Sequence, residues 1–208
     1  IGPNFSTITG LEVETMTVGA TNLTAFLGYG NPNLRASLSG QDLTGFALQN
    51  VTFGLATFKP TLPIKKLPSF TVLKATAASF TTYGMGDLFD LQGQGISIEV
   101  NTGTKWPANL GTPTIDFTTS FPANGSTPVG FAVTMPAGAN PIYLDFNGQP
   151  RIALAIQSAT INLANFVVLK GGIRVEMGPT YVVNIATGIP ANLGAVLGAV
   201  GLDTLANQ

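Results

Sequence analysis

The chain has 208 residues, no cysteine and no histidine, and only 9% of its residues are charged, with a net charge of −1. The missing residue types exclude disulfides, thiolate catalysis, a Ser-His-Asp triad and any metal site that uses Cys or His ligands. About a quarter of the residues are charged in an average soluble domain, so the scarcity of charge here argues against nucleic-acid binding and favours self-association.

Short runs in which apolar and polar residues alternate follow one another along the chain. This period of two predicts half-buried β-strands, and the Thr, Val, Ile and Phe that dominate the runs favour a pleated sheet. We therefore predict an all-β fold, either an antiparallel sandwich or an elongated, β-roll-like stack of short strands. The runs lie at 46–48, 51–55, 70–72, 96–100, 115–117, 131–135, 142–146, 152–156, 161–163, 173–177 and 181–185.

The chain divides into three parts on these patterns. Residues 1–18 are an N-terminal strand or linker, and their alternating apolar positions make them a candidate donor or edge strand. Residues 19–188 are a single β domain without an internal linker. Residues 189–208 are a tail that is partly helical or flexible, because the apolar spacing from 191 to 205 fits a short helix while its glycines weaken one.

Turn signals predict how some strands connect. Asn147-Gly148 and Gly171-Gly172 each lie between two alternating runs and predict tight β-hairpins. The proline-bounded segment 59–68, with Lys65-Lys66 at its tip, predicts a loop. Between Leu48 and Val51 the alternation changes phase, which predicts a bulge near Gln49-Asn50 that keeps one face buried.

No stretch approaches the roughly 20 consecutive apolar residues of a spanning helix, so the sequence predicts no transmembrane segment. The nearest candidate, residues 189–205, contains Pro190, Asn192 and Asp203. The N-terminus has neither an initiator Met nor a basic region, so we expect a mature product or an excised segment.

Few residues are candidates for chemistry. Asp87 and Asp90 lie three positions apart, where a carboxylate pair could act in catalysis or bind calcium, but solvated loop acids are the simpler interpretation. Trp106, the single tryptophan, lies in a loop where it could stack on a sugar, although packing at a strand end is more common. Of four Asn-x-Ser/Thr sequons, we expect only Asn124 to be accessible. We predict no catalytic, cofactor-binding or metal-binding residue.

Several segments together resemble one period of the β-rich repeats in giant secreted, adhesin-like bacterial surface proteins. The shared order is an alanine-rich strand, a strand that ends in Val-Asn, and then an Asp-Phe strand. The resemblance covers most of residues 11–185 and implies an extracellular, elongated building block without an assigned active site. It rests on residues 18–28, 43–58, 73–80, 95–103, 115–117 and 161–172.

The sequence thus predicts a non-enzymatic, secreted protein of the cell surface. Its expected function is that of a structural subunit or repeat module of an extracellular filament, surface layer or large adhesin, which self-associates through β-strand edges. The alternative is an extracellular β-sandwich binding module for a glycan or another surface ligand.

Overall fold

The structure, a computed structural model, describes residues 7–30, 43–62, 67–85, 89–104, 111–178, 181 and 183–186. The chain forms two compact units, one of Thr7–Pro179 and one of Ile1–Ser6 with Thr180–Gln208. In the second unit only 181 and 183–186 are described, and these residues are exposed and irregular. The predicted C-terminal helix and the tail 189–208 lie outside the described residues.

The first unit is built on a six-stranded antiparallel sheet, which confirms the predicted all-β class. Its strands are β1 (Val13–Tyr29), β2 (Thr44–Pro60), β3 (Phe70–Tyr83), β4 (Phe89–Gly103), β7 (Arg151–Leu163) and β8 (Val167–Met177). They are longer than the alternating runs, because several runs join into one strand across a bulge. The strand order is β1-β2-β3-β4-β7-β8, so every neighbour pair except β4 and β7 is consecutive in the chain.

Residues 111–150, here called the covering layer, connect β4 to β7 and lie on one face of this sheet. The layer contains a one-turn helix α1 (Phe117–Ser120), the paired strands β5 (Phe131–Val133) and β6 (Ile142–Leu144), and a 3-10 turn (Pro136–Gly138) between them. Its strands contact β1, β2 and β3.

The hydrophobic core lies between the covering layer and the sheet. Phe58 of β2 packs edge-on against Phe117 and Phe131, with ring centroids 5.6 and 5.2 Å apart. Burying a side chain of this size contributes about 1.5–3 kcal/mol, so the cluster is a main source of stability. Its buried members are Ala56, Phe58, Phe70, Val72, Phe117, Val133, Leu144 and Phe146.

Asn101 of β4 joins the two ends of the covering layer to the sheet. Its side chain is fully buried, and its Nδ2 donates to the carbonyls of Ile115 (3.1 Å) and Gln149 (3.4 Å). The two ends also pair with each other, since the Phe117 N–H donates to the Phe146 carbonyl at 2.8 Å. These contacts fix the layer where it enters and leaves the sheet.

Both predicted hairpins are wrong. Residues 142–144 pair with β5 whereas β7 pairs with β4 and β8, so Asn147-Gly148 carries the chain from one layer to the other. Gly171 and Gly172 lie inside β8. The hairpin between β7 and β8 instead turns at Ala164 and Asn165, which both have positive φ as a tight hairpin turn requires.

Of the predicted N-terminal segment 1–18, residues 13–18 form part of an edge strand, and residues 7–12 lie outside the strands. β1 begins at Val13 and continues without a break to Tyr29, and it pairs with β2 of the same chain. Residues 13–18 therefore belong to the sheet of their own chain, and residues 1–6 lie outside the described part.

Candidate interaction surface

The face of the sheet that points away from the covering layer is predominantly apolar. By register, Thr82 lies within it, and Glu14 and Lys59 lie at one end. Paired residues on neighbouring antiparallel strands share a face, and side chains alternate between faces along each strand. Because Ala56, Phe58, Phe70 and Val72 face the covering layer, the register assigns their immediate neighbours to the opposite side.

This surface, called the apolar face below, draws on all six strands. On β1 to β3 it consists of Met16, Val18, Ala20, Leu23, Ala25, Leu27, Phe46, Leu48, Val51, Phe53, Leu55, Leu73, Ala75, Ala77 and Phe80. On β4, β7 and β8 it consists of Phe89, Leu91, Gly93, Ile96, Ile98, Val100, Ile152, Leu154, Ile156, Ala159, Ile161, Leu163, Val167, Leu169, Gly171, Ile173, Val175 and Met177.

A line of irregular pairing across the sheet keeps these residues on one face. In five strands two successive apolar positions are three residues apart instead of two, at 20/23, 48/51, 77/80, 93/96 and 156/159. The backbone between them is left-handed at Asn22, Asn50 and Gly95, and the register shifts at β1 and β7. Asn and Gly tolerate this conformation best. The bulge predicted near Gln49-Asn50 is confirmed as one member of this line.

Side-chain contacts support this assignment of faces across the bulges. A Cβ atom placed on Gly93 would lie 2.1 Å from Phe80 Cε1 and 3.1 Å from Ile156 Cγ2. Gly93 and Phe80 are cross-strand partners on one side of the line of bulges, whereas Ile156 lies on the other side of this line. The three residues therefore share one face, and the Phe80 ring covers the space that Gly93 leaves open.

In the part of the chain that the structure describes, no element packs on the apolar face. The covering layer contacts the other side of β1, β2 and β3. Many apolar side chains toward the edges of the sheet are open to solvent, including Val18 (41%), Val175 (59%) and Met177 (65%). Ala77, Ile96 and Ala159, which lie beside the bulge line, are buried. A contiguous apolar surface of this kind marks a site of interaction.

Beyond the covering layer, the opposite face is mostly polar on β3, β4, β7 and β8, although Val168 also lies on it. On β1 and β2 the apolar residues Phe26 and Ala47 belong to this face. Pairing places Thr81, Gln92, Thr160 and Lys170 in one row across β3, β4, β7 and β8. Nearer the layer, Arg151 pairs with Glu99 (Nε to Oε2, 2.5 Å) and Glu176, which Arg174 also contacts (2.7 Å).

This ion-pair network affects the charge of Glu176. The hydrogen bond from Arg174, together with the positive charges of both arginines, holds the pKa of Glu176 below its ordinary value, although desolvation raises it. The four side chains remain partly exposed, so the network adds little to stability.

The two edges of the sheet are also open. β1 and β8 are the edge strands among the described residues, with 17 and 11 residues and no proline. A long edge presents unpaired backbone N–H and C=O groups that can pair with another strand.

The residues singled out from the sequence do not form a second site. Asp90 lies in β4, where Thr82 (3.1 Å) and Gln92 (2.8 Å) donate to its carboxylate. The other candidates, Asp87, Trp106 and Lys65-Lys66, lie outside the described residues. The hypothesis that Trp106 stacks on a sugar therefore stays a prediction. Among residues that are described, no group of three or more acidic, His or Cys side chains could hold a metal ion.

The sequons are more accessible than expected. Asn124 is exposed in a small turn closed by its own pairing with Thr127, as predicted. Asn22 and Asn50 are exposed as well, because each lies in a bulge of the sheet.

A search of the helices in the described ranges finds none that is long and apolar enough to cross a membrane. Comparison with protein-family models, with curated proteins and with solved structures finds no match for this chain.

The apolar face is the feature that strand-by-strand reading of the sequence missed. Its signal is present, since five strands repeat the same change of spacing from two to three. The five three-residue spacings form a single surface only because the strand register places them side by side across the sheet, and the register is not visible in the sequence of one strand.

Proposed function

We propose that this chain is a structural or adhesive module of an extracellular assembly, such as a filament, a surface layer or a large adhesin, and that it acts by binding other β-sheet surfaces. The observation that carries the proposal is the apolar face, which spans six strands and which no described element covers. Burying such a surface releases about 25 cal/mol for each Å² of apolar area, so an uncovered face favours association.

The electrostatics support the same role. Of the charged residues that are described in the sheet, only Glu14 and Lys59 lie on the side of the apolar face, where they are cross-strand neighbours of opposite charge at its end. With a net charge of −1, two copies repel each other little at long range. The two open edges, β1 and β8, offer strand addition as a further mode of assembly.

We further propose that the role is non-catalytic and that the chain works as a subunit or as one repeat of a longer protein. The absence of His and Cys from the whole sequence supports the first point. The resemblance to repeats of secreted surface proteins supports the second point and the extracellular location.

The test is the state of association of the purified chain. Sedimentation velocity from micromolar to millimolar concentration, with negative-stain electron microscopy of the same samples, should show reversible growth into dimers or larger assemblies. A chain that remains strictly monomeric throughout this range would overturn the proposal.

A further inference from the structure

We infer that the apolar face binds a second copy of this chain, sheet on sheet, about a two-fold axis parallel to the strands. This inference rests on the proposed function and specifies the partner and the geometry. In a two-fold contact the same surface serves both copies, so the apolar face must be large enough, suitably charged and complementary to itself.

The area is sufficient. Six strands about 4.8 Å apart span about 24 Å, and strands of 11–17 residues at about 3.3 Å per residue are roughly 36–56 Å long. The face therefore measures on the order of 1,000 Å², whereas a stable protein interface buries about 800 Å² on each partner. Two sheets in face-to-face contact lie about 10 Å apart, which leaves room for one interdigitated layer of side chains.

The distribution of charge favours a protein partner over a lipid surface. A helix or sheet that binds an anionic membrane has Lys and Arg beside its apolar surface. Of the described cations in the sheet, Lys74, Arg151, Lys170 and Arg174 lie on the opposite face by register. Lys59 alone lies on the side of the apolar face, at its end, and its cross-strand partner is the acidic Glu14. Along one end the apolar face is bordered by the uncharged row Thr57, Thr71 and Thr102, which resembles the polar rim of a protein interface.

Side-chain size sets the orientation of the second copy. In the row next to the bulge line the large residues Leu48 and Phe80 lie on β2 and β3, whereas the small residues Ala159 and Gly171 lie on β7 and β8. A two-fold axis parallel to the strands, between β3 and β4, places the large half of one copy over the small half of the other. An axis perpendicular to the strands would place large residues on large ones.

This geometry predicts which strands meet. β1 lies over β8 of the second copy, β2 over β7, and β3 over β4. Val18 and Met177 belong to the same row at opposite edges of the sheet, since pairing connects Val18 through Leu55, Leu73, Val100 and Ile152 to Met177. Val18 of one copy therefore lies opposite Met177 of the other.

The first experiment places a charge on the apolar face and compares it with a matched control. Val175 and Val168 lie on the same strand with similar exposure (59% and 54%), but on opposite faces. We expect Val175→Lys, and equally Leu154→Lys, to raise the dimer dissociation constant by at least about 100-fold in sedimentation equilibrium. Val168→Lys should change it by less than about threefold, and far-UV circular dichroism should show all three variants folded.

The second experiment tests the direction of the two-fold axis by cross-linking. Because the sequence has no cysteine, the introduced thiols are the only ones that the reagent can link. In Val18→Cys/Met177→Cys a short bis-maleimide should link two copies into a covalent dimer on a denaturing gel. Each single variant should stay monomeric on the gel, because the thiols of the two copies then lie at opposite edges of the interface, about 24 Å apart. Within one chain the two positions are about 24 Å apart, beyond the reach of the reagent.

The outcomes separate this inference from the proposed function. If the chain assembles but Val175→Lys and Val168→Lys behave alike, assembly uses the strand edges and the inference is wrong while the proposed function stands. If the chain is monomeric and Val175→Lys alone lowers its melting temperature, another part of the same chain covers the face, and both fail. Cross-linking of the single variants would overturn the parallel axis.

Discussion

The contact between the covering layer and β1 depends on a pair of glycines, and this makes a sharp prediction. Gly19 and Gly54 are cross-strand partners on the covered face. A Cβ on Gly19 would lie 2.2 Å from the Thr134 carbonyl oxygen and 3.0 Å from Met135 Sδ, whereas one on Gly54 would lie 3.1 Å from Ile142. Ordinary contacts begin near 3.4 Å, so Gly19→Ala requires the backbone at Thr134 to move by about 1.2 Å.

That movement is costly because Thr134 directly follows Val133, which is fully buried in the core. A gap of 0.5–1 Å already removes about a quarter to a half of a dispersion contact. Overpacking costs about 1–3 kcal/mol, and we expect Gly19→Ala at the upper end, since a backbone atom cannot rotate away. Gly54→Ala meets side chains that can give by a few tenths of an ångström, so it should cost about 1 kcal/mol.

The assay is equilibrium unfolding in urea followed by far-UV circular dichroism, with Gly178→Ala as the control. Nothing lies within 4 Å of a Cβ on Gly178, and its backbone is not left-handed, so this variant should match the wild type or gain about 0.4–1 kcal/mol. Hydrogen exchange should rise first at Phe131–Val133 in Gly19→Ala. Equal midpoints for Gly19→Ala and Gly178→Ala would refute the described docking of the covering layer on β1.

Three further predictions concern the core, a buried amide and a helix cap. Phe58→Ala should cost about 3–5 kcal/mol in urea unfolding of the monomer, whereas Phe46→Ala, 40% exposed on the apolar face, should cost far less; similar losses would contradict the assigned faces. Asn101→Ala should cost about 1–3 kcal/mol, because the carbonyls it binds lose their donor, and an unchanged midpoint would count against this role. Asp116→Ala should cost about 1 kcal/mol and Asp116→Asn little, because Asp116 caps α1 through the Thr118 and Thr119 N–H groups. Burial raises the pKa of Asp116, but the hydrogen bonds from Thr118 and Thr119 lower it by more, so the pKa lies below its ordinary value of 3.8. The wild type should therefore lose stability relative to Asp116→Asn only as the pH falls below 3.8. A loss that begins near neutral pH would show that another group titrates.

Alternation alone predicted where most strands lie, because a period of two reports a half-buried strand wherever it occurs. Residues 51–55, 96–100 and 152–156 all fall inside strands of the sheet. The change of phase at Leu48/Val51 also predicted a bulge, since a one-residue slip would otherwise turn the apolar side chains to the other face.

Turn signals were less informative, because Gly permits several backbone conformations and tertiary contacts select among them. Gly171 and Gly172 lie opposite the irregular pairing of β7, and a Cβ on Gly172 would lie 3.1 Å from the Gln157 carbonyl oxygen. The actual turn uses Ala164 and Asn165, supported by the Asn162 side chain, which accepts from the Asn165 N–H at 3.1 Å. This turn contains no glycine, so the turn signals of the sequence did not indicate it.

The sequence by itself determined the all-β class, the scarcity of charge, and the exclusion of histidine and cysteine chemistry, because these follow from residue types and their local period. Only the tertiary structure decided that five changes of spacing align across neighbouring strands, that residues 111–150 cover one face, and that the other face stays apolar and uncovered in the described part of the chain. The physical reason is that a period of two shows that each strand has two unlike sides, whereas strand pairing decides which sides join into one surface.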